Sequence, residues 1–212
     1  YETYGSLNEK KDNAILIFHA LTGDQFVSGI NPITKKEGWW SYAVGPGKAI
    51  DTDKYFVICA NVIGGCMGSY GPSEINPDTN KKYGITFPVI TINDMVNAQF
   101  NLLNFFNIDK LFAVMGGSMG GMQTLQFVNN FPNKAKVAIP IACTASHSAQ
   151  NIAFNELGRQ SIMADVNWEN GDYSNQNKNP NKGLSVARMA AHITYLSKNG
   201  LQEKFGRKLQ ER

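Results

Sequence analysis

The residues best suited to covalent chemistry stand together at Gly116-Gly117-Ser118-Met119-Gly120-Gly121, directly after the apolar run at residues 111–115. A serine hydroxyl is a weak nucleophile unless it is exposed, paired with a base and set beside backbone donors. A tight turn from strand to helix provides the exposure. Glycine is needed at Gly116 and Gly120 because a side chain at either would collide with the neighbouring strand or helix. The N–H of Met119, at the helix start, faces the place where an oxyanion forms during attack on an acyl carbon. A bare GxSxG is a common glycine turn that can serve close packing alone. The strand before it and the helix after it favour Ser118 as a nucleophile.

A second turn, His19-Ala20-Leu21-Thr22-Gly23-Asp24, follows another apolar run at residues 14–18. A sharp bend there aims the N–H of Leu21 at the same oxyanion. His19 reads as a structural, hydrogen-bonded residue rather than a proton carrier. In the stretch 183–195, Arg188, His192 and Tyr195 recur at i, i+4 and i+7 and share one helix face. The planar fork of Arg188 suits a carboxylate, while the plainer alternative is a solvated polar stripe. Trp39 and Trp40 suit core or rim packing better than a pocket. Residues 44–50 carry neither the spacing nor the Ser/Thr of a phosphate loop.

These residues need a scaffold, and the chain alternates short apolar runs with amphipathic stretches. Residues 14–18, 55–60, 111–115 and 136–141 read as strands buried on both faces. Residues 92–106 read as a helix capped by Thr91 with Asp94 in its first turn, and 119–130 as a helix stopped before Pro132. Residues 64–83 read as a long covering loop. Helices at 151–163 and 184–196, joined by a polar linker at 167–182, follow without further strands. The expected fold class is α/β: a mostly parallel sheet with helices on both faces. Residues 1–145 form the core and 146–212 the start of a helical cap.

The 212 residues are 42% hydrophobic and 17% charged, with net charge +3 and scattered lysines. That balance argues against a nucleic-acid binder. No apolar run reaches the roughly 20 residues of a membrane helix. Cys59, Cys66 and Cys143 are too dispersed for a disulfide framework or zinc site, which favours a reducing, cytoplasmic setting and no bound metal. The chain opens at Tyr1 and closes in a charged stretch at 203–212, so both ends are expected to be cuts in a longer protein.

Taken together the segments resemble the homoserine O-acetyltransferase family, acyl-CoA-dependent acyltransferases of α/β-hydrolase fold. The resemblance rests on Tyr1-Glu2-Thr3-Tyr4-Gly5, the His19 to Asp24 turn, Gly38-Trp39-Trp40 and Val44-Gly45-Pro46-Gly47-Lys48-Ala49-Ile50-Asp51-Thr52. It continues through Asn61-Val62-Ile63-Gly64-Gly65-Cys66, Gly71-Pro72-Ser73, the elbow to Gln123, Ser148-Ala149-Gln150-Asn151-Ile152-Ala153-Phe154-Asn155, and the Arg188 to Tyr195 segment. It implies a Ser-His-Asp triad and ping-pong transfer of acetyl from acetyl-CoA, through Ser118, to the hydroxyl of L-homoserine, an early step towards methionine. It implies a homodimer with no bound cofactor. The family's substrate arginine falls on Arg188 and a pocket tyrosine on Tyr195. The triad Asp and His normally follow the serine after the cap. Neither His147 nor His192 occupies such a position, so both partners are expected outside this chain, leaving it inert alone. Succinyl transfer, serine as acceptor, ester hydrolysis and a catalytically inactive domain are the alternatives.

Overall fold

In the computed structural model, which describes residues 1–173 and 178–206, the apolar runs form the middle of a five-stranded sheet. The chain divides into two units, Tyr1–Gly71 with Pro88–Ala145 and Pro72–Phe87 with Ser146–Arg212. Residues 72–87, expected within the first domain, therefore belong to the second unit. Ile85 packs directly on Gly171, its Cβ only 2.9 Å from where a side chain at Gly171 would begin.

The first unit contains β1 (Glu2–Tyr4), β2 (Ala14–Phe18), β3 (Val44–Gly45), β4 (Ile50–Asp51) and β5 (Phe56–Cys59). Strands β6 (Ile75–Asn76) and β7 (Lys81–Lys82) form a hairpin in the second unit, within the stretch expected to be a long covering loop. The first unit resumes with α1 (Ile92–Phe105), β8 (Leu111–Gly117), α2 (Met119–Asn130) and β9 (Ala135–Ile141). The main sheet runs β1-β5-β2-β8-β9, parallel throughout except for antiparallel β1.

Side chains alternate across the sheet and fill two clusters. Leu16, Phe18, Ile58 and Val114 meet Val96 and Leu103 of α1 and Phe127 of α2. Ile15, Ile17, Val57 and Met115 face the other way, onto Val27, Val44 and Ile50. Helices α1 and α2 thus share one face, and the other is covered in this part of the chain by the segment around residues 27–50. Burial on both sides explains why β2 and β5 are apolar without alternation. Among the described residues strand β9 is the last of the sheet and largely exposed, and it carries Pro140.

Helix α1 starts where a capping box forms: Thr91 Oγ1 accepts from the Asp94 N–H at 3.3 Å, and Asp94 Oδ2 accepts from the Thr91 N–H at 2.8 Å. The second unit holds α3 (Ala149–Met163), α4 (Asn181–Tyr195) and α5 (Lys198–Phe205). Helices α3 and α4 begin at Ala149 and Asn181, ahead of the expected 151 and 184. They approach closely through small residues: a side chain at Gly183 would begin 2.3 Å from the Ser161 carbonyl oxygen, and one at Gly158 would begin 3.7 Å from Ala187 Cβ. The expected linker at 167–182 includes a single 3-10 turn, Glu169–Gly171. Residues 174–177 of that linker, and 207–212 of the charged stretch, lie outside the described residues. Among the described residues no helix is long and apolar enough to cross a membrane.

Candidate active site

Phe18 of β2 lies level with Gly116 of β8, so the turns leaving these parallel strands emerge side by side at the carboxyl end of the sheet. Open α/β sheets place their ligands at that end. Strand β8 passes into α2 through one residue, Ser118, with φ 56° and ψ −119°. Such a conformation in a non-glycine residue costs about 1–3 kcal/mol and persists only where its surroundings enforce it. Here they do. The Ser118 N–H donates to the Ile141 carbonyl at 2.9 Å, and the Ser118 carbonyl accepts from the Met122 N–H at 3.0 Å. The hydroxyl makes no capping bond to α2, and the residue is exposed.

The flanking glycines are sterically fixed. A Cβ at Gly120 would lie 2.1 Å from the Phe18 carbonyl oxygen, and one at Gly116 would lie 2.5 Å from the Gly120 carbonyl. Only hydrogen at these positions lets helix, elbow and β2 meet.

The turn after Phe18 is held by its own carbonyls. Ala20 O accepts from His19 Nδ1 at 2.7 Å and from the Gly23 N–H at 2.9 Å. A trans peptide sets its N–H opposite its carbonyl. The Leu21 N–H therefore points away from the His19 ring, on a residue 73% exposed. At the other side Met119 is the first residue of α2, where backbone N–H groups have no intrahelical acceptor.

His19 is almost fully buried, and its Nε2 accepts from the Val62 N–H at 3.1 Å. That bond requires a bare Nε2, so the proton sits on Nδ1. Burial lowers its pKa below the usual 6.5, against weaker raising effects of the Ala20 carbonyl and Asp24. Both nitrogens are occupied, which leaves no lone pair for a serine proton. His19 is a strut, as its sequence context suggested. His147 is exposed and follows β9, and His192 is exposed on α4.

Asp24 is likewise occupied, accepting from the Phe26 N–H at 2.8 Å and from Asn31 Nδ2 at 3.1 Å. Beside it, Thr22, Phe26 and Trp39 line a cavity of about 210 Å³. Trp39 stacks on Trp40 with ring centroids 5.5 Å apart.

Ser118, Met119 and Leu21 belong to the first unit, while Arg188 and Tyr195 belong to the second, both exposed on α4. Among the described residues no group of three or more His, Cys, Asp or Glu side chains is placed to hold a metal. Sequence reading missed Gln123 and Gln99, which bond to each other inside the core at 3.0 Å. The available signal was a glutamine on the buried stripe of α2, four residues before Phe127.

A strained serine elbow between a parallel strand and a helix, with a second sharp turn beside it, points to the class. Residues 13–212 match the alpha/beta hydrolase fold family, and the chain belongs to it. Within that family the chain is 97% identical, over all 212 residues, to a homoserine O-acetyltransferase of Pelagibacter ubique, of which it covers 57%. The crystal structure of homoserine O-acetyltransferase from Bacillus anthracis superposes with a TM-score of 0.89 at 30% identity, over 99% of this chain and 58% of that one. The crystal structure of esterase E22 gives 0.86 at 36% identity, over 99% and 59%. The chain thus spans about half the length of the curated relatives it matches.

Proposed function

We propose that these residues carry the nucleophile and oxyanion hole of a homoserine O-acetyltransferase. The observation that supports it most is Ser118, exposed and strained at the elbow, in a chain 97% identical to a protein of that name. Ser118 Oγ attacks the thioester carbonyl of acetyl-CoA while the N–H groups of Leu21 and Met119 receive the developing oxyanion. The C–S bond breaks, CoA leaves as the thiol, and acetyl remains on Ser118. The hydroxyl of L-homoserine then attacks that ester and releases the serine. Arg188 grips the acceptor's carboxylate, with Tyr195 on the same helix face. The histidine that takes the serine proton, and its acidic partner, come from the length of such enzymes that these residues do not span.

The test is CoA release by a full-length protein carrying these residues, with and without homoserine. Homoserine-dependent release, lost by several decades in Ser118→Ala, is the expected result. Near-normal transfer by Ser118→Ala overturns the assignment. Ester hydrolysis is a second reading, favoured by the likeness to esterase E22. It predicts release that ignores homoserine, because water then takes the acyl group.

A further inference from the structure

Beneath the elbow lies a buried polar pair that an apolar core does not need. Gln123 of α2 is fully buried, and Gln99 of α1 is nearly so. Gln99 Nε2 donates to Gln123 Oε1 at 3.0 Å. That bond turns the Gln123 amide so that Nε2 reaches two carbonyls, His19 O and Met119 O, each at 3.4 Å. One belongs to the turn carrying Leu21, and the other to the residue after Ser118. A single side chain thus spans both strands of the hole.

We infer that Gln123, oriented by Gln99, is a positioning residue that sets the spacing and orientation of the two oxyanion donors. The inference rests on the reading of Ser118 as nucleophile with Leu21 and Met119 as donors. His19 fixes the Ala20–Leu21 peptide through Ala20 O, and Gln123 holds the peptide before it through His19 O. Three consecutive carbonyls are thereby restrained: Phe18 O against Gly120, His19 O by Gln123, and Ala20 O by His19 and Gly23. The Leu21 N–H, on the opposite edge of the last of these peptides, is set by the same restraints, and Gln123 holds Met119 through its carbonyl.

The arrangement has a thermodynamic signature. Gln99 Oε1 is buried without a hydrogen-bond partner, and an unsatisfied buried acceptor destabilises a fold. The Gln99 side chain bonds to Gln123, and so acts on the turn by aiming Gln123. A methionine of similar length at position 99 keeps the packing volume and removes the unpaired acceptor, but it also takes the donor from Gln123 Oε1, so one buried acceptor stays unpaired. Stability should therefore change little there while turnover falls, a separation that a merely structural glutamine would not give.

The experiment compares Gln99→Met, Gln123→Met and Ser118→Ala in a full-length protein carrying these residues. It measures kcat, the KM for acetyl-CoA and the melting midpoint. Gln99→Met is expected to melt close to the parent, with kcat lowered about tenfold and KM within about twofold, since misplaced donors weaken transition-state binding alone. Gln123→Met is expected to lower kcat further. An unchanged kcat in Gln99→Met, or a fall in kcat that tracks a fall in melting midpoint, overturns the inference. Full activity in Ser118→Ala overturns instead the reading beneath it.

Discussion

In the first unit every strand of the sheet's centre is walled by apolar side chains, whereas in the second the buried described residues are Gly171, Pro180 and Gly183. The first is organised around side chains and the second around close backbone approach. Helix α3 buries no residue, and Ile152, Phe154, Leu184 and Met189 of α3 and α4 stay exposed. The contrast separates two tasks. The proposed nucleophile and donors sit where many neighbours over-determine them, while the residues proposed to hold the acceptor sit on helices that bury few side chains within this span.

The largest expected effect comes from one methyl group placed against a carbonyl in the rigid unit. Gly120→Ala puts Cβ 2.1 Å from Phe18 O, with no room on either side. It should cost about 3 kcal/mol, at the upper end of core overpacking. Acyl-enzyme formation, measured by rapid quench, should fall at least about a hundredfold because the elbow itself is displaced. Next comes Arg188→Lys, which keeps charge and loses the fork. The KM for homoserine should rise about tenfold or more while acylation by acetyl-CoA holds. Equal damage to both half-reactions would make Arg188 a structural residue.

Gly183→Ala is the partner of the first test, with Cβ 2.3 Å from Ser161 O. Here the helices can part, and alanine's better helix propensity offsets roughly 1 kcal/mol. The net loss, read from urea unfolding, should be about 1 kcal/mol or less. A cost matching that of Gly120→Ala would erase the distinction between the units.

The smallest expected effect is a pH slope. His19 has its folded pKa lowered by burial, so the unfolded chain binds more protons between that value and 6.5. Its contribution is complete above 6.5 and is lost as pH falls through the lowered value. Unfolding free energy measured from about pH 7 to 5 should decline, and His19→Gln should flatten that part of the decline. An unchanged slope would remove His19 from the account of the turn.

Much of this was legible because burial on two faces writes an unbroken apolar run. Strand β2 matches its expected bounds, and β8 and β9 extend theirs by two residues and one. Helix α1 was marked by Thr91 and Asp94, and the elbow by its glycines. Strand β1 was not legible, since three half-buried edge residues carry no pattern. Nor were the two-residue strands. The partners of the struts were invisible for another reason: His19 meets Val62 across 43 positions and Gln123 across 104, and no local period encodes such a pairing.

The backbone at Ser118 has a consequence for how such a chain changes over generations. Its φ of 56° is one that glycine adopts freely and serine does not. Replacement by glycine therefore relaxes the fold while removing the proposed nucleophile, and a Ser118→Gly protein should melt above its parent. Selection for stability and selection for chemistry pull in opposite directions at this codon. A copy of the gene released from its catalytic duty would drift towards glycine there, and gain a sturdier fold by doing so.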